Sequence, residues 1–534
     1  MSKIFIFCIG GSGSRVVRAL DMLMASGVPQ MASGDQVYPI MIDYDLQNGD
    51  TNRSVNCVQT YHHIHEVAYP KELAKNAQTD DGFFHTPMSM MRELGNGCTS
   101  GFTMQFDGSK SKTFEDAIGF KNLGDNNNRT KDLLYSLYDS SNSADSELKI
   151  DMTVGFKGNP NIGSVVFHSL REMKEFEDFS RNCDPTEDKV ILVGSIFGGT
   201  GASGIPELVN AIRETPKLAN VQLGVIMILP YFSFESAQEI GTVKGSLFDS
   251  KTRASLSFYE AAGLNERINS IYYVGDNERT KMPYVQGGSG QLNDAHIVDL
   301  LGAISILHFV KRNNISLGNK FKYRMHDNEV SHEPGLSILN FYRENINDFI
   351  KPLTTMAFAV KFMESEILNE TKCVKEQGYY HGLSLNLYIN NRKITNPASS
   401  SGNEYSRLHD TLYQFQTFCS QFKGWIKEME SAGNHKLVLF DFNAPIEALV
   451  KDAKLTLEKK PIFGNGTSEK ALVDPKEFSD AIQRHYHEHY SSADVAGKLR
   501  VDDKTAGFAF IDSLMHGVEA VLRQDNIAKI LKFT

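Results

Sequence analysis

The sequence predicts an α/β fold built on a parallel sheet, and three observations carry the prediction. Short apolar runs rich in β-branched residues recur at Lys3 to Ile9, Tyr38 to Ile42, Val190 to Ile196, Gln222 to Leu229 and Ser270 to Val274, the pattern of strands buried on both faces. Two of these runs pass directly into glycine clusters, Gly10, Gly11 and Gly13 around Ser12, and Gly198, Gly199, Gly201 and Gly204. Each cluster is followed by apolar residues at helical spacing: Val16, Leu20, Leu23 and Met24 after the first, and Ile205, Leu208, Val209 and Ile212 after the second.

The second unit, VILVGSIFGGTGASGIPELVNAI from Val190 to Ile212, is the stretch around which the rest is organised. Glycines allow backbone N–H groups to approach a ligand that side chains would hold off. Pro206 suits a first helical turn. A strand, a glycine loop and a helix N-terminus together form an anion site, because orphan amides and the positive end of the helix dipole face one point. A phosphate chain is the natural guest. The pattern GxxxxGK[ST] is absent, so no lysine is placed as in a P-loop.

Composition narrows the classes. With 534 residues, 22% charged and 41% hydrophobic, the chain reads as a globular protein of two or three domains. A net charge of −10 argues against a dominant nucleic-acid surface or an anionic lipid partner. Six scattered cysteines without a CxxC pair read as reduced thiols. The opening MSKIFIFCIGG lacks the flank and cleavage site of a signal peptide, and no apolar run is long enough to span a bilayer; a cytoplasmic location without membrane insertion is the expectation.

From Asn48 to Lys149 the chain is rich in Asn, Ser, Asp and Gly and reads as a surface insertion. His62, His63 and His65 beside Glu66 show no matching ligand set and read as a polar loop or strand edge; no metal site is assigned. His485, His487, Glu488 and His489 are not HExxH and read as a solvated helix face. The parallel pattern resumes at Asp151 to Val154, and a buried helix is expected over Gln291 to Lys311. Beyond Lys375, strands are expected at Leu383 to Ile389 and Lys436 to Phe442, with helices over Tyr405 to Ser431 and most of Pro475 to Phe533. Trp425 reads as core.

Taken in order, several loops resemble those of the tubulin/FtsZ superfamily. The segment GGTGASG, Gly198 to Gly204, is similar to its signature loop, and Gly10 to Gly13 to its first glycine loop. Asp45 to Gln47 resembles an Asp-Ala-Gln segment. Gly158, Asn159 and Pro160 resemble the loop around the γ-phosphate. Pro230, Phe232, Phe234 and Glu235 resemble a Pro-Phe-x-Phe-Glu loop whose glutamate contacts ribose, although the arginine four residues beyond is replaced by Glu239, with a metal ion or Lys244 as substitutes. Asn277 resembles a base-flanking residue. Asn293 resembles an asparagine that reads guanine, a helix cap being the alternative. Asn345 to Phe349 resembles the catalytic loop that one protomer presents to its neighbour, with Asp348 as the acid, though Lys351 stands where a second acid belongs.

The resemblance implies a Rossmann-like parallel-sheet GTPase domain of tubulin/FtsZ type over residues 1–290 with an insertion at 48–149, a connecting helix over 291–312 and a divergent α+β second domain over 313–534. It implies GTP or GDP with Mg2+ as ligands. Bound residues would be Gly10, Gly11, Ser12, Gly13, Asp45, Gln47, Gly158, Asn159, Pro160, Gly198, Gly199, Thr200, Gly201, Ala202, Ser203, Gly204, Glu235, Asn277 and Asn293. It further implies head-to-tail assembly into filaments, with the active site completed across the contact and the insertion and C-terminal region free for protein partners. Two alternatives stand beside it: a nucleotide-gated interaction protein that neither hydrolyses nor polymerises, and a dinucleotide-binding oxidoreductase.

Overall fold

The computed structural model describes residues 2–28, 34–70, 82–95, 97–104, 106, 113–124, 128–138, 146–234, 247–276, 279–283, 285, 287–313, 315–324, 335–337, 349–364, 406–431, 437–451, 453, 455–459, 468–491, 494–501 and 504–531. Its spine is a parallel sheet of eight strands: β1 (Lys3–Ile9), β2 (Gln36–Ile42), β3 (Thr103–Met104), β4 (Lys189–Ser195), β5 (Gln222–Ile228), β6 (Ser270–Gly275), β7 (Asn319–Arg324) and β8 (Gly335–Ser337). Their order is β8-β7-β6-β5-β4-β1-β2-β3, and every pairing is parallel. Six of these strands follow the doubly wound order 3-2-1-4-5-6, which reverses direction between β1 and β4. The expected Rossmann-like α/β class is therefore what the chain forms.

Alternation along β1 explains the layers. Ile4, Ile6 and Cys8 enter one apolar cluster, and Phe5, Phe7 and Ile9 enter the other on the opposite face. The first face carries α1 (Gly10–Ala25), α2 (Gly49–Ala68) and, further along, α6 (Ile297–Lys311). The second carries α3 (Pro160–Phe167), α4 (Thr200–Glu214) and α5 (Phe248–Ala261). All of α6 but His308 and Lys311 is buried, as the apolar girth of its sequence requires. The C-terminal helices α7 (Lys351–Phe362), α8 (Ser406–Ser431), α9 (Pro475–His489) and α10 (Ala506–Leu522) pack over α1, α2 and α6 within the same apolar cluster. Trp425 lies in this core, 1% exposed, as its sequence context suggests.

Five local expectations differ from the structure. Asp151 to Val154 is not a strand: Asp151 accepts from Thr153 N and starts a 3-10 turn over Met152–Val154. The buried helix starts at Ile297 and not near Gln291, because His296 caps it, accepting from Val298 N, with Asp299 reaching back to His296 N. Within the stretch read as a surface insertion, α2 is a 20-residue helix whose Cys57, Val58, Tyr61, Ile64 and Ala68 face the core. Those apolar positions do fall at helical spacing, but polar neighbours dilute them. Residues His62 to Glu66 accordingly sit on this helix and not on a loop or strand edge.

The fourth difference concerns Pro206, which lies inside α4 and not in its first turn, because the helix already begins at Thr200. A proline there has no N–H for the Ala202 carbonyl. The buried Tyr259 hydroxyl of α5 donates to that carbonyl instead, at 2.7 Å. Fifth, the run from Lys436 to Phe442 forms only an isolated bridge, Phe440 to Val450, in its described part. The strand expected at Leu383 to Ile389 lies outside the described residues.

Candidate functional site

In an open α/β sheet the ligand crevice forms beyond the carboxyl ends of the strands, where the strand order reverses. Here that place is the ends of β1 and β4, and both glycine clusters stand there. A cleft of about 180 Å³ opens at this point. A buried water needs roughly 10–15 Å³ on the same kind of measure, so the space suits something much larger than a single ion.

Six separate segments line it. They are Gly10 to Ser12 with Arg15; Asp43, Asp45 and Asn48 after β2; Val154 to Gly158; Ser195 with Phe197 to Gly201; Phe232 and Phe234 with Phe248; and Val285, Gly287, Gln291 and Asn293. The segments touch one another closely. A Cβ on Gly10 would stand 3.3 Å from Thr200 Cβ, and one on Gly199 would stand 3.2 Å from the backbone nitrogens of Gly158 and Asn159. One on Gly11 would meet Asp50 Cβ at 3.4 Å. Gly10 also has φ +71°, a backbone setting that favours glycine. Side chains at these positions would crowd the junctions between the segments.

Helix ends reinforce this. The N-termini of α1, α2 and α4 lie at Gly10, Asn48 and Gly199, each a cleft residue. Of α1, only Gly11 and Ser12 are not buried, and both line the cleft. Orphan amides at such ends favour an anion.

The charged groups at the cleft are already committed. Arg15 binds Asp50 at 2.6 Å and Asp299 at 3.5 Å and donates to the Tyr231 hydroxyl. Burial alone would lower the Arg15 pKa, yet Tyr231, Asp50 and Asp299 outweigh it and hold the group charged. Asp50 also accepts from the Asn293 backbone N at 2.9 Å and its side-chain amide at 2.6 Å, and from Arg53 at 3.1 Å. Arg53 and Arg18 both reach Glu428 of α8, which accepts from Ala295 N as well. Asp45 accepts from Gln47 N at 3.0 Å and Gly288 N at 2.6 Å. Asp43 is pushed up to about 7, chiefly by burial.

Of the residues named from the sequence, Gly10, Gly11, Ser12, Asp45, Gly158, Gly198, Gly199, Thr200, Gly201 and Asn293 line the cleft together. The others in described positions do different work. Gly13 packs α1 on β4, since a Cβ there would stand 2.5 Å from the Val193 carbonyl. Gln47 is exposed beside the cleft. Asn159 and Pro160 open α3, Asn159 without a side-chain cap bond. Ala202 accepts from Tyr259, Ser203 donates to the Gly199 carbonyl at 2.7 Å, and Gly204 packs against Ile9 and Phe167. Asn293 does not cap α6, because His296 does; its amide is spent on Asp50. Glu235, Glu239, Lys244, Asn277 and Asp348 lie outside the described residues.

Sequence reasoning missed Arg15, Asn48, Phe156, Lys157, Phe197, Phe248 and Gln291 as cleft residues. Arg15 carried a usable signal, being a cation one turn into a helix that follows a glycine loop. Gln291 carried none, because it arrives through the fold, where its side chain accepts from Asn48 at 3.1 Å.

Fold and cleft define a doubly wound α/β protein with a glycine-lined crevice at the reversal of strand order. No family model matches the sequence, and no curated protein matches it. Among solved structures the chain is similar to CetZ from Methanosaeta thermophila strain DSM 6194, with 13% identity, a TM-score of 0.24, and coverage of 58% of this chain and 52% of that one. The match thus spans about half the length of that structure. A likeness of that size carries no statement about ligand, activity or assembly. Among the described residues, no helix is long and apolar enough to cross a membrane.

Proposed function

We propose that the cleft binds a nucleoside triphosphate, GTP by the resemblance of its loops, with the phosphate chain held by main-chain amides. The observation that carries this reading is the meeting of six segments, distant in sequence, at the helix N-termini beside β1 and β4. The cradle fits the group: glycine stands where a Cβ would fill the space, and the cleft arginine is already neutralised by two carboxylates. Phe232, Phe234 and Phe248 offer an apolar wall on which a base can rest. Mg2+ would be held between the phosphates and Asp43 with the hydroxyls of Ser12 and Thr200, and would supply charge neutralisation there.

In this reading the chain's own part is binding and positioning. Hydrolysis rests on Asp348 and on the resemblance, as does head-to-tail assembly, in which a neighbour completes the site. Assembly through a heterologous contact that does not close would give a filament switchable by nucleotide. The decisive measurement is mass spectrometry of ligand released from purified protein, with equilibrium dialysis against GTP, ATP and NAD. Bound GTP or GDP supports the reading; no nucleotide retained at millimolar concentration overturns it. Light scattering with and without GTP then tests assembly, and phosphate release by wild type and Asp348→Ala tests hydrolysis.

A specific observation favours a second reading. The order 3-2-1-4-5-6 is that of dinucleotide-binding folds, and Asp43 stands at the end of β2, where such folds place the acid for a ribose hydroxyl. Recovery of NAD or FAD in the same experiment would establish it in place of the first.

A further inference from the structure

A second group of side chains lies away from the cleft. His62 is on α2, fourteen residues beyond the cleft residue Asn48, which is about 20 Å along a helix at 1.5 Å per residue. Glu66 stands one turn further on the same helix, and the Met91–Leu94 turn brings Glu93 to the same place. Ligand atoms of the three lie within 4.8 Å of one another. The histidines of this segment have no partner set in sequence; Glu93 supplies one only once the chain folds.

The protonation of His62 follows from its partners. The ring is buried, and its Nδ1 lies 2.9 Å from the Met88 carbonyl, which can only accept, so Nδ1 carries the proton. In the neutral ring Nε2 is then a lone pair. It faces Glu66 Oε2 and Glu93 Oε1, both at 3.5 Å. Three acceptors therefore meet, an arrangement that a cation between them would stabilise. A proton on Nε2 is one such cation, but a charge-assisted N–H···O bond spans about 2.7–2.9 Å, and neither contact approaches that. Two ligand atoms on a tetrahedral ion, each at about 2.1 Å, stand roughly 3.4 Å apart. Both contacts match that edge.

The supports of the ligands are also in place. The Nδ1–H bond to a backbone carbonyl is how a metal-ligating imidazole is usually oriented. Glu93 Oε1 accepts from Met90 N at 2.8 Å, and the loop carrying both is pinned where Ser89 N donates to the Val37 carbonyl at 2.8 Å. Glu66 is 58% exposed and Glu93 35% exposed, which leaves open coordination positions toward solvent. We propose that His62, Glu66 and Glu93 form a binding site for one divalent transition-metal cation of the Zn2+ or Mn2+ class, clamping α2 to the Met91–Leu94 turn. One imidazole and two carboxylates suit such hard or borderline ions better than a soft one.

The other histidine group does not compete. His485, Asp512 and His516 also gather, but Asp512 already accepts from the Tyr490 hydroxyl at 2.5 Å and pairs with His516 at 3.2 Å. The His485 and His516 rings stack 4.6 Å apart with planes 3° from parallel, so that cluster closes on itself.

The test uses the full-length protein, freed of metal by chelator and without nucleotide. Zn2+ is titrated calorimetrically, and Co2+ binding is followed by its visible absorption. One equivalent is expected, with affinity falling at least tenfold in Glu66→Gln and in Glu93→Gln, two exposed positions whose unchanged circular dichroism and urea midpoint are checked alongside. His485→Ala should leave the stoichiometry unchanged. The proposal is overturned if the glutamine variants bind as the wild type does, if His485→Ala removes the bound ion, or if wild type takes up no ion at micromolar concentration.

Discussion

The two strand–glycine–helix units look alike in sequence and are used differently. In the first, β1 runs into α1, a helix buried along its whole length past Ser12 and tied by Arg15 and Arg18 to carboxylates on α2, α6 and α8. In the second, β4 runs into α4, whose loop presents Gly198, Gly199, Thr200 and Gly201 with no charged side chain among them. One unit anchors the cleft to the rest of the molecule. The other brings a glycine turn without charged side chains to the cleft wall. A glycine loop therefore signals an approach of backbone, and only its surroundings say to what.

The anchoring side should break most severely at Asp50. It accepts from Arg15, Arg53 and Asn293 together, so Asp50→Ala would take the closer of two acids from the buried Arg15, leaving Asp299 at 3.5 Å, and leave Arg53 with Glu428 alone. A loss of about 3–5 kcal/mol is expected by urea denaturation, as for a broken buried ion pair. An equal loss of stability in Asp249→Ala, which removes an exposed pair with Arg279, would erase the contrast.

Next come the two glycines that bring each helix onto β4. A Cβ on Gly13 would stand 2.5 Å from the Val193 carbonyl and 2.9 Å from the Cys8 backbone carbon, and one on Gly201 would stand 2.7 Å from Ser195 N. Gly13→Ala and Gly201→Ala should each cost roughly 1–3 kcal/mol by overpacking against backbone. Gly198→Ala meets only the Ser195 side-chain oxygen, at 3.0 Å. It should leave the denaturation midpoint nearly unchanged while weakening nucleotide binding, which separates a packing glycine from a binding one.

On the second unit, Tyr259→Phe removes the donor that serves the Ala202 carbonyl opposite Pro206. An unsatisfied buried carbonyl costs about 1–3 kcal/mol. The double variant with Pro206→Ala restores a helical N–H and should recover part of that loss; no recovery would show that the hydroxyl acts otherwise.

The smallest effect is expected from pH. Burial raises Asp43 to about 7 from an ordinary value of 3.8, so between those values the folded chain holds a proton that the unfolded chain has lost. Stability from this group is full below about pH 4 and falls as pH rises toward 7. Asp43→Asn should flatten that part of the profile, its urea midpoint gaining on wild type between pH 5 and pH 8. Mg2+ held by Asp43 needs the ionised carboxylate, so binding of Mg2+-nucleotide below pH 7 should release a proton in wild type and not in the variant.

Much of this was readable from pattern. The runs ending at Ile9, Ile42 and Ser195 are strands because β-branched apolar residues fill them on both faces, and the glycines after two of them mark where helices begin. Helix α2 was hidden because its core positions are interleaved with Asn, Gln and His, so average polarity masked a periodicity that was there. The start of α6 was misplaced because nothing local distinguishes Asn293 from His296 as a cap until Asp299 closes the capping box.

By itself the sequence determined the strands, the glycine turns and the helical faces, since each depends on residues within a few positions of one another. Tertiary structure decided which turns share a cleft, that Asp50 joins Arg15 to Asn293, and that Glu93 meets His62 and Glu66. Those meetings depend on strand order and helix packing, which bring together residues separated by tens to hundreds of positions.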